Sequence, residues 1–181
     1  MRCTSAIALR DRGDADAIVD ELAADLEAGL EGDPSWLLLS HEQHLVSGEA
    51  LRRACQRRWP NTHLHRLSSM QGLLSQSGHH TGAVVGALGL RDPHGAFGTA
   101  ACDIEDLDNA GLRRAVATVL DTAMGAAGRS GEAPELLFMS MTPGQEERVL
   151  EAIEAELGSV PVAGGTASGE LPVGDGARSF Q

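Results

Sequence analysis

Two short segments rich in hydroxyls and glycines have the residue types that best suit the binding of a ligand. The first lies between Ser68 and Gly72, and the second between Gly164 and Gly169. Hydroxyls and main-chain N–H groups can hold a carboxylate or another polar group, and glycine lets the backbone approach a ligand closely. Tight turns capped by hydroxyls have the same composition, and both interpretations stay open at this point. The predicted ligand-binding residues are Ser68, Ser69, Gln71, Gly72, Gly164, Gly165, Thr166, Ser168 and Gly169.

A cation and two histidines stand near the first segment in the sequence. Arg66 stands two residues before Ser68, and its guanidinium could pair with a ligand carboxylate or narrow the pocket. His41 and His44 follow a predicted strand, and haem can be held by a single axial histidine. Zinc is not predicted, because no cluster of cysteines or carboxylates accompanies the histidines. Arg66, His41 and His44 are therefore additional candidate binding residues, with haem as the one cofactor left open.

Residues for covalent catalysis do not form a recognisable set. Neither Ser69 nor Ser168 stands in a Gly-x-Ser-x-Gly elbow, and no glycine-rich nucleotide-binding motif is present. All fourteen basic residues are arginines, which excludes a lysine Schiff base. We expect a binding protein rather than an enzyme. The enzymatic alternative is a serine hydrolase that uses Ser69 or Ser168.

Charge and cysteine content narrow the partners and the compartment. The net charge of −12 argues against nucleic acid and anionic membrane surfaces, both of which are negative. Cys3, Cys55 and Cys102 are widely spaced and odd in number, which suits free thiols in a reducing compartment. The chain has no signal-peptide pattern at its start and no apolar run of about 20 residues. We expect a cytoplasmic protein with a small-molecule partner.

Strand and helix patterns alternate along the whole chain. In the first half we predict strands at 3–9, 36–40, 62–67 and 82–90, helices that begin after Asp14 and Ser47, and a loop at 68–81. A strand at 96–102 is predicted to return as a β-hairpin after the turn at 91–95. In the second half we predict a helix capped by Asp106 or Asp108, strands at 136–139 and 160–163, and a helix whose capping box begins at Thr142 and places Pro143 at its first position.

This alternation predicts the α/β class, with a largely parallel sheet flanked by helices. The element order repeats, which predicts two similar βαβαβ halves, residues 3–75 and 96–171, joined by the β-hairpin within a single domain of residues 1–181. The tail, residues 172–181, is expected to be partly ordered. Ligands of open α/β sheets bind at the carboxyl ends of strands. We therefore expect the two segments to converge on one shared site.

Three passages of the chain resemble the FIST N-terminal sensory domain family. Residues 64–73 resemble the glycine and serine turn after its third strand, and residues 160–169 resemble its Pro-Val-x-Gly-Gly-x-Ala turn. Residues 134–139 resemble the strand between them. The similarity runs in order over nearly the whole chain. It departs from the family pattern at Arg66 and Leu67, where the family has small residues.

The resemblance implies an intracellular sensory or signal-transduction module that binds a small ligand, such as an amino acid or a similar small carboxylate. It also implies a C-terminal FIST portion or a signalling protein as a partner. An unpaired sheet edge would permit self-association. Two alternatives stay open, a protein-interaction adapter and a haem-based gas sensor.

Overall fold

The computed structural model describes residues 1–9, 14–42, 45–69 and 72–167. The chain forms two compact units, residues 1–95 and residues 96–181, and each is described here by itself. The predicted tail, residues 172–181, lies outside the described residues, and the pseudo-repeats at 3–75 and 96–171 stay a prediction.

The first unit contains six strands and two helices among its described residues. In chain order these are β1 (Arg2–Leu9), α1 (Ala15–Leu30), β2 (Trp36–Glu42), α2 (Gly48–Arg58), β3 (His63–Ser69), β4 (Gly72–Ser75), β5 (Gly78–Thr81) and β6 (Val84–Arg91). The predicted loop at 68–81 therefore contains a small hairpin, because β4 and β5 pair antiparallel around the turn at Gln76 and Ser77.

The main sheet of this unit has the order β1-β6-β2-β3. Only β2 and β3 run parallel, whereas β6 is antiparallel to both β1 and β2. The prediction of a largely parallel sheet was wrong for this unit, and the sheet is mixed. The reason is that β6 follows the β4–β5 hairpin and not a crossover helix, and a parallel strand requires a crossover.

Both helices pack on one face of this sheet. The buried residues of α1 recur at helical spacing and meet alternate residues of the strands in a single core. Gly89 of β6 permits the close approach, because a Cβ there would lie 2.9 Å from Leu30 Cδ1. The helices are also joined to each other, since Glu27 of α1 accepts hydrogen bonds from Arg58 at 2.7 and 2.8 Å and from the Nε1 of buried Trp59 at 3.0 Å.

The second unit contains α3 (Asn109–Ala126), β7 (Leu137–Met141), α4 (Glu146–Leu157) and β8 (Val162–Thr166) among its described residues. The strands β7 and β8 are parallel, and α4 is the crossover between them. Asp108 is the N-cap of α3, since its side chain accepts from the N–H of Gly111 at 2.6 Å. The same run of helix, strand, helix and strand occurs within the first unit as α1-β2-α2-β3, and there too the two strands are parallel.

Two predictions for the second half were wrong. Residues 96–102 form no strand and do not pair with β6. Instead this segment packs on the end of α3, where a Cβ on Gly98 would overlap the carbonyl oxygen of Ala123. The helix after Thr142 begins at Glu146, so Pro143 is not its first residue. Gly144 has a φ of 87°, a left-handed conformation through which a right-handed helix cannot continue.

None of the helices in the described part of the chain is both long enough and apolar enough to cross a membrane.

Two neighbouring glycines of β8 make a matched test of the β7–β8 pairing. Gly164 has a φ of 134°, and a Cβ there would overlap the carbonyl oxygen of Met139, whereas nothing lies within 4 Å of a Cβ on Gly165. We expect Gly164→Ala to destabilise the second unit by about 2 kcal/mol or more and Gly165→Ala to leave it nearly unchanged. Amide hydrogen exchange over residues 137–166 measures the difference, and equal protection in both variants would contradict the described register.

Buried His65 makes the first unit sensitive to mild acid. Its ring is 8% exposed and lies with its centroid 6.1 Å from that of Trp36, and burial lowers its pKa from 6.5 to about 4. Folding therefore favours the neutral ring, so stability is full above pH 6.5 and declines as the pH falls from 6.5 toward 4. Because His65 binds a proton more readily in the unfolded state, we expect the free energy of unfolding to fall by about 2 kcal/mol between pH 7 and pH 5.

Urea unfolding followed by tryptophan fluorescence measures this loss, because the two tryptophans, Trp36 and Trp59, both lie in the first unit. We expect His65→Gln to reduce the pH dependence and His94→Gln, in an exposed turn, to leave it unchanged. An unaltered pH dependence in His65→Gln would show that other groups cause the loss.

Candidate functional site

The carboxyl ends of β2 and β3 meet at one edge of the first unit's sheet, beside the first turn of α2. His41 stands opposite Ser68 in the parallel register, and Leu39 stands opposite Arg66. Leu39 belongs to the same core as Leu51 of α2. Because side chains alternate along a strand, His41, Arg66 and Ser68 share the face that α2 covers.

His41 is buried, with 2% of its surface exposed. Its Nδ1 lies 3.1 Å from the carbonyl oxygen of Leu67. Burial is the main cause that lowers the pKa of His41, and the Arg66 cation lowers it further, so the ring is neutral at pH 7. A carbonyl oxygen only accepts, so Nδ1 carries the proton and Nε2 presents a lone pair. Nε2 lies 3.0 Å from where a Cβ on Gly48 would stand.

Arg66 places its guanidinium against the same glycine. A Cβ on Gly48 would overlap Nη1 of Arg66, which explains why this helix begins with glycine. The side chain is half-buried, and burial lowers its pKa. The nearby carboxylate of Glu49 is already held by Arg52 at 2.7 Å and Arg53 at 2.8 Å. Within the described part of the chain, no carboxylate pairs with the Arg66 guanidinium.

The N-terminus of α2 adds further positive charge to this corner. Ser47 has the extended backbone of an N-cap residue, but its side chain makes no capping hydrogen bond. The main-chain N–H groups of the first turn carry the positive end of the helix dipole. A guanidinium held against that end is electrostatically unfavourable unless an anion joins them, and such N-termini are suited to bind carboxylates and phosphates.

Other predicted residues of the first segment have different positions. Ser68 is buried next to His41. Ser69 lies on the opposite face and donates its hydroxyl to the carbonyl oxygen of Gly72 at 2.5 Å. The start of β4 needs Gly72, because a Cβ there would lie 2.7 Å from the carbonyl oxygen of His80. Gln71 and His44 lie outside the described residues.

The first three residues of the second segment belong to a strand and not to a loop. Gly164, Gly165 and Thr166 are the last residues of β8, and Ser168 and Gly169 lie outside the described residues. The hydroxyl of Thr166 donates to Oε1 of Glu146 at 2.7 Å. Thr166 is therefore already bonded to a carboxylate of the chain itself.

Sequence reasoning did not single out Glu146. Its Oε2 accepts from the N–H of Gly144 at 2.7 Å. The Thr166 hydroxyl and the surrounding main-chain N–H groups hold the pKa of this carboxyl below its usual value. The available signal was its place as the first helical residue directly after a Pro-Gly turn, where acidic side chains interact with a helix N-terminus.

The two parallel pairs therefore differ chemically at matching positions. Among the pairs on the helix-covered face of each strand pair, the last but one is Leu39 and Arg66 in the first unit and Met139 and Gly164 in the second. At the start of its crossover helix the second unit has a carboxylate, Glu146, that accepts from a main-chain N–H, whereas in the first unit the first-turn carboxylate of Glu49 pairs with Arg52 and Arg53 and the Arg66 guanidinium lies against Gly48. The prediction that the two segments converge on a shared site concerns both units and stays a prediction.

Haem held by His41 or His44 stays a prediction, and His44 lies outside the described residues. The ring nitrogen that would bind iron lies against the first turn of α2 and beside the Arg66 guanidinium. Among the described residues, no group of three or more histidines, cysteines or carboxylates could hold a metal ion.

A serine and histidine cluster in the β4–β5 hairpin was also not predicted. The hydroxyls of Ser75 and Ser77 lie 2.9 and 3.0 Å from Nε2 of His80, and 2.8 Å from each other. Ser77 is exposed at the turn, and the N–H of Ser77 donates to Ser75 Oγ. These bonds close the turn of the hairpin, which gives the cluster a structural role.

Comparison with known proteins places the chain in a family. Residues 36–180 match the FIST N domain, a sensory and signal-transduction family. The chain is similar to a solved structure, the cyanuric acid hydrolase from A. caulinodans, at 16% sequence identity and a TM-score of 0.36. That similarity covers 88% of this chain and 48% of the hydrolase, so the chain spans about half of that protein's length. No curated protein matches the sequence. Because the match to the FIST N domain covers most of its length, the chain belongs to the FIST N domain family.

Proposed function

We propose that the chain is a sensory module that binds a small carboxylate at the carboxyl ends of β2 and β3. The observation that carries the proposal is the half-buried Arg66 guanidinium, which lies at the N-terminus of α2 without a carboxylate partner in the described part of the chain. A carboxylate would accept from this guanidinium and from main-chain N–H groups of the first turn. His41 and Ser68 would line the same site.

The second unit supplies an internal example of the same recognition. There a carboxylate, that of Glu146, accepts from the Thr166 hydroxyl and from main-chain N–H groups where α4 begins. Thr166 and Ser68 each belong to the last pair on the helix-covered face of their own strand pair, with Met141 and His41 as partners. This supports a carboxylate, in preference to a cation, as the ligand of the first unit.

We propose binding without a reaction. His41 and Ser68 face the same site, but the described structure has no hydrogen bond between the Ser68 hydroxyl and the His41 ring. Activation of a nucleophilic serine needs such a contact with a base. The signal would then pass to a partner protein or a further domain that distinguishes the ligand-bound state from the free state.

The proposal predicts a carboxylate-dependent gain in stability that requires Arg66. We expect small carboxylates, screened as sodium salts against chloride at constant ionic strength, to raise the urea midpoint of the first unit. A ligand at a hundred times its Kd would add about 2.7 kcal/mol. Arg66→Met should lose this gain. It should not lower the stability of the free protein, because it removes an unpaired, half-buried cation from a helix N-terminus.

Arg2→Met is the matched control. Arg2 is an exposed arginine that pairs with Arg91 in the register of β1 and β6, at the amino end of β2 and so at the other end of the sheet from His41. This variant should keep the full response to carboxylates. A screen in which no carboxylate shifts the midpoint of the wild-type protein, or in which Arg66→Met responds as the wild type does, would refute the proposed function.

A further inference from the structure

The β4–β5 hairpin lies against the face of the main sheet that points away from the two helices. Leu39 belongs to the helix-covered core, so its neighbour Ser40 points to the opposite face. Gly86 stands opposite Ser40 in the antiparallel register of β2 and β6 and shares that face. A Cβ on Gly86 would lie 2.5 Å from Cδ1 of Leu73, so the Leu73 side chain of β4 rests on the sheet directly beside Ser40.

Ser40 has a buried hydroxyl at this place. The residue is 8% exposed, and the described part of the chain offers its Oγ no hydrogen-bond partner. A hydroxyl that is removed from water without a partner raises the free energy of the state in which it is buried. The closed arrangement of the hairpin therefore has a cost that an arrangement with Ser40 open to water does not have.

The hairpin itself is held weakly. No residue of β4 or β5 is buried, and Leu74 is 83% exposed. An exposed hydrogen bond of 2.7 Å from Ser5 Oγ to Gln76 Oε1 ties its turn to β1. A hydrogen bond of 2.5 Å from Ser69 Oγ to the carbonyl oxygen of Gly72 ties its start to β3. A two-stranded hairpin with so few buried groups can open at a lower free energy than the core requires to unfold.

We propose that the β4–β5 hairpin is a flap that opens locally and uncovers the sheet face around Ser40, and that the buried Ser40 hydroxyl shifts the balance toward the open state. This inference does not depend on the proposed carboxylate site, which lies on the other face of the sheet. The flap gives the first unit two conformations that differ at its surface, and a sensory module needs such a pair if a partner is to distinguish its states.

Thiol labelling at position 40 measures the opening in the full chain. Cys3→Ser and Cys102→Ser remove the two exposed thiols, Ser40→Cys adds a thiol beneath the flap, and Cys55 stays as a buried control in the helix-covered core. Without denaturant, we expect N-ethylmaleimide to label position 40 at least about a hundredfold faster than Cys55, because only Cys55 requires unfolding of the core. Low urea should change the rate at position 40 little and raise the rate at Cys55 steeply.

The contact of Leu73 with Gly86 should control this rate. In the same labelling background, Leu73→Ala should raise the rate at position 40 by about tenfold or more, because it removes the apolar contact that closes the flap. Leu74→Ala is the matched control, since Leu74 is exposed, and it should leave the rate unchanged. Slow labelling of Cys55 shows that the core of each variant is folded.

The role of the hydroxyl is tested in the otherwise natural chain. Ser40→Ala should raise the amide hydrogen-exchange protection of residues 72–81 by about tenfold, because it removes the unpaired hydroxyl from the closed state. Ser5→Ala should lower that protection, because it removes the hydrogen bond to Gln76.

Two results would overturn the flap. One is an equal labelling rate at position 40 and at Cys55 at every urea concentration, and the other is a rate at position 40 that Leu73→Ala does not change. Protection of residues 72–81 that Ser40→Ala leaves unchanged or lowers would overturn the role of the hydroxyl and leave the flap in place.

Discussion

The parallel pairing of β2 with β3 is the constraint on which the candidate site depends. A parallel pair needs a crossover, and here the crossover is α2, which begins shortly after β2 ends. The N-terminus of the helix and the last residues of both strands must therefore lie at the same edge of the sheet. An antiparallel partner joined to β2 by a tight turn, as β5 is joined to β4, would bring no helix N-terminus to this edge.

Gly48 allows the Arg66 and His41 side chains to lie against the first turn of α2. Its missing side chain leaves the space that the Arg66 guanidinium and the His41 ring occupy. The fold gains nothing obvious from placing a half-buried cation at the positive end of a helix, and burial works against its charge. A bound carboxylate would supply the negative charge that balances Arg66, which is why we propose a ligand site at this edge of the sheet.

In the second unit, the carboxylate at the start of the crossover helix comes from the chain itself. Glu146 supplies the carboxylate, Thr166 donates to it, and Gly164 allows β8 to approach the backbone of β7 closely. Gly164 and Thr166 therefore have structural roles in β8: Gly164 allows the close pairing with β7, and Thr166, the last residue of the strand, bonds to Glu146. Similar element order in the two units does not imply similar chemistry. In the second unit the Glu146 carboxylate accepts hydrogen bonds where α4 begins, whereas in the first unit the Arg66 guanidinium lies where α2 begins.

Much of the element order could be predicted from local signals. Asp108 and Ser47 are helix-capping residues, the apolar spacing of α1 shows which face is buried, and Pro34 and Pro60 mark the ends of helical segments. The FIST N family was also recognisable, because the passages that resemble its motifs follow one another along the chain in the family's order. Arg66, His41 and Ser68 could be proposed as binding residues, because their types and their positions near strand ends are visible in the sequence.

Tertiary structure alone decided what these residues do. The antiparallel direction of β6 depends on the β4–β5 hairpin that precedes it, and the conformation of residues 96–102 depends on packing against α3, so neither follows from local pattern. Likewise, Ser69 and Thr166 have the same hydroxyl chemistry as Ser68, yet their hydrogen bonds to Gly72 and Glu146 give them structural roles. The sequence determined which chemical groups are available and in what order. Long-range contacts determined which of them meet, because a pairing between residues far apart in the chain leaves no mark on the local spacing of either.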